Sequence, residues 1–73
     1  MTLSQTQISE SVCIDKMNLN QDQVRRLRSL GMMEGTKVKV LQKKRSGTLV
    51  VDVRGTRFAI GYQMGDEIGV KAV

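Results

Sequence analysis

Histidine, proline and tryptophan are missing from this sequence, cysteine occurs once, and the only aromatics are Phe58 and Tyr62. Without histidine the chain lacks both the commonest general base and the commonest metal ligand. A single thiol, Cys13, cannot close an intramolecular disulfide, and with no second soft ligand beside it in the chain it cannot build a zinc site. Secreted domains of this size normally rely on disulfide staples, so their absence points to a reducing compartment, and the expected location is the cytoplasm. Cys13 is therefore expected to be a half-buried structural residue. No acidic pair has glycosidase-type spacing, and the adjacent Asp66 and Glu67 are expected to solvate a turn. The seven glycines are scattered through turns and a cap, so no phosphate-cradling loop exists. No enzymatic activity, cofactor or resident metal is expected from this inventory.

Long apolar runs are also missing. None approaches the roughly 20 residues needed to cross a bilayer, and the first residues have neither the basic nor the apolar region of a signal peptide. Any link to a membrane is expected to run through a partner. At 73 residues the chain is one domain, and such a domain buries only about 60% of the surface that its unfolded chain exposes. With aromatics so scarce, the core must come from Val, Ile, Leu and Met, which suit a small, tightly curved sheet.

Charge is unevenly spread. The formal net charge is +5, yet the segment from Arg25 to Arg57 has ten bases against Glu34 and Asp52, a net of +8. The remainder has Lys16 and Lys71 against five acids, a net of −3. A basic middle of this kind suits a polyanion or an acidic protein face, and equally a solvated surface that aids solubility.

Along the chain, residues 1–7 are polar and expected to be a disordered N-terminal segment, leaving 8–73 as the folded domain. Ile8, Val12, Ile14 and Met17 are spaced apolar positions, and the alternation of Val12 and Ile14 with Cys13 and Asp15 predicts a first strand whose Cys13 faces away from the core. Asn20 is a good N-cap, with Gln23 three residues on as capping-box partner and Asp22 in the first turn. Val24, Leu27 and Leu30 share one face of a helix over 21–30, which Gly31 ends in a left-handed cap with Met32 folding back. The other face carries Arg25, Arg26 and Arg28.

After Glu34-Gly35, Val38 and Val40 point inward and Lys37 and Lys39 outward along a second strand. Residues 43–47 form a basic hairpin tip. Leu49, Val51 and Val53 make one face of the returning strand. Arg54-Gly55 is a tight turn whose type is open, since a primed turn needs positive φ at Arg54. Phe58 and Ile60 face inward on the next strand, a single 3₁₀ turn is expected over 61–65, and residues 67–73 close the sheet. Strand, helix and four more short strands bury their apolar faces by closing into a small, mainly β, SH3-like barrel with one helix inserted after the first strand. Repeats and linkers are absent.

The helix exit, Arg26-Leu27-Arg28-Ser29-Leu30-Gly31-Met32-Met33-Glu34-Gly35-Thr36, resembles the pattern R-L-x-x-L-G-[LM]-x-P-G-[ST] of FeoA domains. Lys37-Val38-Lys39-Val40-Leu41 is similar to that family's next strand, Val51 to Ile60 to its central hairpin, and Ile68-Gly69-Val70 to its ending. Glu34 stands where the family usually has proline. The tip Lys44-Arg45-Ser46-Gly47-Thr48 is shorter than the usual P-L-G-D-P segment, and Gly61-Tyr62 and Gly65 replace a more helical stretch. The resemblance implies a cytoplasmic accessory protein of ferrous-iron uptake that acts through the membrane transporter FeoB and its cytosolic GTP-binding part, without moving iron itself. FeoA-like domains also occur fused to metal-dependent repressors of the diphtheria-toxin-repressor type; here a stand-alone adaptor is expected.

Packing explains Leu27, Leu30, Gly31 and Gly35. The expected contact surface is therefore Arg25, Arg26 and Arg28 with the neighbouring Met32-Met33 pair, of which one must face outward, and Lys44 and Arg45 at the hairpin tip. Two other readings stand beside the adaptor. One is a nucleic-acid-binding barrel using the +8 segment, for which stacking aromatics are scarce. The other is a metal-sensing module with Cys13, Asp15 or the C-terminal acids as ligands. A monomer or a weak homo-oligomer is compatible with all three.

Overall fold

The computed structural model describes residues 1–73. The alternating segments become five short strands: β1 (Ser11–Met17), β2 (Lys37–Lys43), β3 (Leu49–Val53), β4 (Thr56–Ile60) and β5 (Ile68–Ala72). They pair antiparallel in the order β4-β3-β2-β1-β5. Directly opposed apolar pairs, Val12 with Val38, Ile14 with Val70, Val40 with Val51 and Leu49 with Ile60, put the branched side chains on one face. A flat sheet would leave that face wet. Here side chains from all five strands meet in a single buried cluster, and the molecule measures 28 × 25 × 23 Å. The sheet therefore curls into the predicted SH3-like barrel. Two register slips, at Asp15 in β1 and Leu41 in β2, add one residue to one strand of a pair and sharpen the bend.

The helix α1 (Gln21–Ser29) starts and stops as the sequence predicts. The Gln23 amide donates to Asn20 Oδ1 at 2.8 Å, and the Gln23 side chain reaches back to the Asn20 amide. Gly31, at φ +93°, turns the chain left-handed. Its amide donates to the Arg28 carbonyl and that of Met32 to the Leu27 carbonyl, each at 2.9 Å, which occupies two of the orphaned carbonyls at the helix end. Met32 then enters the core fully buried.

The β3–β4 turn is of the primed kind: Arg54 has φ +53° and Gly55 φ +86°. The two-residue loop between the paired Val53 and Thr56 requires this, because only primed turns match the twist of the strands. Asp52 Oδ1 accepts from the Gly55 amide at 2.9 Å and offsets part of the strain at Arg54.

Three expectations are corrected. Residues 1–7 are not a disordered segment. Thr2 and Gln5 form a capping box around a 3₁₀ turn at Leu3–Gln5, Leu3 and Thr6 are fully buried, and the Met1 carbonyl accepts from the Val70 amide at 2.9 Å. Ser4 Oγ donates to Asp66 Oδ1 at 2.9 Å, and Lys43 Nζ donates to the Ser4 carbonyl at 3.1 Å. The polar residues there read as disorder, but they satisfy one another while Leu3 supplies the burial. Ile8, whose apolar spacing grouped it with Val12, Ile14 and Met17, is 54% exposed. Over 61–65 a full α-turn replaces the expected 3₁₀ turn: α2 (Tyr62–Asp66) closes with the Gly65 amide on the Gly61 carbonyl at 2.9 Å. Gly65 lets α2 lie flat on the core, since a Cβ there would stand 2.8 Å from Leu49 Cδ1.

Two stability measurements follow from this packing. Leu3→Ala should lower the urea-unfolding free energy by about 2–5 kcal/mol, the usual cost of a buried leucine, while Ile8→Ala should stay within about 0.5 kcal/mol of wild type. Equal, small effects would show that the N-terminal segment does not dock. Gly31→Ala should cost about 1–2 kcal/mol through the left-handed backbone alone, because nothing lies within 4 Å of a Cβ there.

Candidate functional site

The chain offers little for chemistry. No three His, Cys, Asp or Glu residues come together, and every buried side-chain nitrogen or oxygen has a hydrogen-bond partner. Cys13 is half-buried on the outer face, paired with Lys37 on one side and Lys71 on the other. Asp15 is exposed on its bulge, and Asp66 is engaged by Ser4. No helix is long and apolar enough to cross a membrane.

The predicted contact residues do not form one surface. Arg25, Arg26 and Arg28 are exposed along α1. The chain's one ion pair joins Arg25 to Asp22 at 3.8 Å between two exposed side chains, a geometry that contributes at most about 1 kcal/mol. Met33 is half-buried beside Met17, Val24, Arg28 and Glu34 in a shallow polar-rimmed hollow. Met32 is fully buried, because the left-handed cap turns it inward as its fold-back position suggested, so of the Met-Met pair it is Met33 that keeps exposure and Met32 offers no exposed contact. Lys44 and Arg45 are exposed on the β2–β3 tip, which rests on α2 through Gly47 and the Tyr62 ring. They line none of the hollows beside α1.

What the fold builds instead is a groove of about 240 Å³ between α1 and the β4–α2 segment. Gln23, Arg26, Leu27 and Leu30 form its helical wall, with Met32 at the base. The opposite wall is Phe58, Ala59, Ile60, Gly61 and Met64. Leu27 alone on α1 is buried; Leu30, one turn on, is 43% exposed at the lip, and Phe58 and Met64 are half-buried. The helix is thus pinned at one point and stands off the barrel beyond it. Since β4 also ends the sheet on this side, the groove runs along a sheet edge. A preformed apolar slot with an arginine on its rim can receive an apolar side chain of another protein and hold an acid beside it.

Sequence reasoning placed Leu27 and Leu30 together as packing residues and Phe58 and Ile60 in the core, and so missed the groove between them. The one available signal was Leu30 itself, a large apolar residue at a helix cap, where side chains are poorly covered.

The cations of the middle segment divide among the α1 face, the β2–β3 tip and the outer face of the sheet. Of the aromatics, Phe58 lines the groove and Tyr62 is 56% exposed against Gly47.

Comparison with known proteins bears on this geometry. The solution structure of FeoA from Chlorobium tepidum superposes with a TM-score of 0.93 at 24% identity, covering 100% of this chain and 70% of that one. A crystal structure of Stenotrophomonas maltophilia FeoA in complex with zinc, described as a procaryotic SH3 domain protein suggested to act as a bacterial ferrous iron transport activating factor, has a TM-score of 0.78 at 32% identity over 97% of this chain and 89% of that one. A manganese-dependent transcriptional repressor shares the fold alone, with a TM-score of 0.89 at 15% identity over 41% of its length. No curated protein sequence matches the chain. The FeoA domain model matches residues 1–72, and with the helix exit, the barrel and the inserted helix all in place, the chain belongs to the FeoA family.

Proposed function

We propose that this protein is a cytoplasmic accessory of ferrous-iron uptake that works by contact with the cytosolic GTP-binding part of a FeoB-type transporter, which it grips through the groove between α1 and β4–α2. The supporting observation is the groove itself: an open apolar slot of about 240 Å³ with the half-exposed Leu30 at its lip and Arg26 on its rim. In a domain whose polar interior is fully paired, it is the most apolar of the surface hollows, with seven of its ten lining residues hydrophobic. Surface pockets that accept a single anchoring side chain carry much of the energy of protein contacts. The activating role suggested for the Stenotrophomonas relative agrees with a role exerted through a partner.

Titration of the isotope-labelled chain with the cytosolic part of its cognate transporter tests this reading. Amide shifts should concentrate on α1, Phe58 to Gly61 and Met64. Leu30→Asp should weaken binding about 30-fold, the scale of a lost anchor, and Arg26→Glu about fivefold through the rim charge. Lys44→Ala with Arg45→Ala should leave the affinity within about twofold. Shifts confined to the β2–β3 tip, or none at all, would sink the proposal.

A further inference from the structure

The outer face of the sheet carries a second surface that the groove does not use. The strand register sets it out in two rows. Lys71 of β5, Cys13 of β1 and Lys37 of β2 are directly opposed, and Ser11, Lys39, Asp52 and Arg57 follow across β1 to β4. Arg54, held at φ +53° in the primed turn, leans over the same area. With Lys37, Lys39, Asp52, Ser11 and Gly55 it lines a depression of about 470 Å³ that contains no hydrophobic residue. Five cations thus share a face with Asp52, whose carboxylate already accepts from the Gly55 amide at 2.9 Å, and with Asp15 on the bulge beyond Cys13. None of the five is in an ion pair. Strands stand about 4.8 Å apart, so the members of a row lie within one or two Debye lengths at physiological salt, about 8 Å each, and their fields add.

We propose that this face is an electrostatic docking surface for an anionic membrane, on which the lysines and arginines meet phospholipid headgroups. The composition of the patch selects this occupant. A protein partner gains affinity from apolar or aromatic anchors seated in pockets, and this depression has none. A single-stranded nucleic acid needs aromatic platforms for its bases, and both aromatics lie elsewhere, Phe58 in the groove and Tyr62 against Gly47. Mobile anionic lipids need neither. They gather under a fixed array of cations, and each cation contributes about a fivefold gain in partition. No amphipathic insertion is involved, so attachment is reversible and governed by salt. The face shares no residue with the groove, so this inference stands or falls independently of the transporter reading.

Co-sedimentation of the full chain with vesicles tests it. Binding should appear with phosphatidylcholine vesicles that contain phosphatidylglycerol, should be absent with phosphatidylcholine alone, and should fall steeply as salt rises. Lys37→Gln, Lys39→Gln and Arg54→Asn together should lower partition about 100-fold; asparagine tolerates the left-handed backbone at position 54. Lys71→Gln alone, at the exposed end of β5, should lower it about fivefold and provides the reading if the triple variant loses its native amide dispersion. Lys44→Gln with Arg45→Gln should change it by less than about twofold, because the tip is held away from the face. Several results would overturn the proposal: equal binding to both vesicles, wild-type partition in the face variants, or an equal loss in the tip variant.

Discussion

One turn of backbone organises this molecule: the left-handed step at Gly31 that ends α1. Through it the Met32 amide reaches the Leu27 carbonyl, and the Met32 side chain is driven into the barrel. The chain then passes to Thr36, whose hydroxyl donates to the Gly31 carbonyl at 3.2 Å and accepts from the Met33 amide at 3.3 Å. Directly beyond, the Gly35 amide bonds the Ile14 carbonyl and the Ile14 amide bonds the Thr36 carbonyl. The helix is therefore fastened to β1 and β2 by the segment that leaves it, and hardly at all by its own face, where Leu27 alone is buried. This explains why the family resemblance is concentrated at the helix exit. It also explains the groove. A cap that sends Met32 inward leaves Leu30 outside the wound turn, and a helix anchored at its end can stand away from β4.

Closure of the barrel depends on the opposite end of the chain. The strand order leaves β5 with a free edge, an arrangement that invites pairing with other chains. Met1 and Thr2 cover it, Thr2 bridging to Gly69 and Met1 accepting from Val70. Leu3 then plugs the core, and Ser4 links Asp66 at the end of α2 to Lys43 at the end of β2. Polar side chains that would cost free energy if buried singly are here satisfied in a short network. Gly65 completes the arrangement by leaving room for the Leu49 side chain, which a Cβ there would crowd.

The features legible in the sequence are those with a local physical cause. Alternation marked the strands, since neighbouring side chains must face opposite sides of a sheet. The Asn20–Gln23 box and Gly31 marked both helix ends, since each satisfies backbone groups a few residues away. Features fixed by distant contacts were not legible. Nothing near Leu3 announces that Gly69 and Val70 will hold the segment in place. Arg54 accepts a positive φ because strand register across the hairpin demands it, against its own preference. Met32 and Met33 were grouped together as contact residues because a Met-Met pair fixes only that the two differ in exposure, and the cap geometry decides that Met32 is the one inside. The groove was least visible of all, because its two walls come from segments about 30 residues apart in the chain, and local patterning carries no information about the gap between packed elements.

The same reasoning changes how the basic middle segment is understood. As a stretch of chain it has a net charge of +8, which suggests a single polyanion site. Folding distributes it. Arg26 flanks an apolar slot while Arg25 and Arg28 lie over other hollows of α1, Lys43 is drawn onto the Ser4 carbonyl, and Lys37, Lys39, Arg54, Arg57 and Lys71 spread over a face with no apolar side chain in its depression. Charge beside an apolar pocket refines which protein fits; charge alone on a sheet answers to a diffuse anionic layer. A domain that buries 13 hydrophobic residues in its one core has few side chains to spare, and it divides them between two surfaces of opposite character. Placed together, a groove that grips a transporter's cytosolic part and a face that leans on the surrounding lipid would fix the orientation of the barrel at the membrane with no spanning segment of its own.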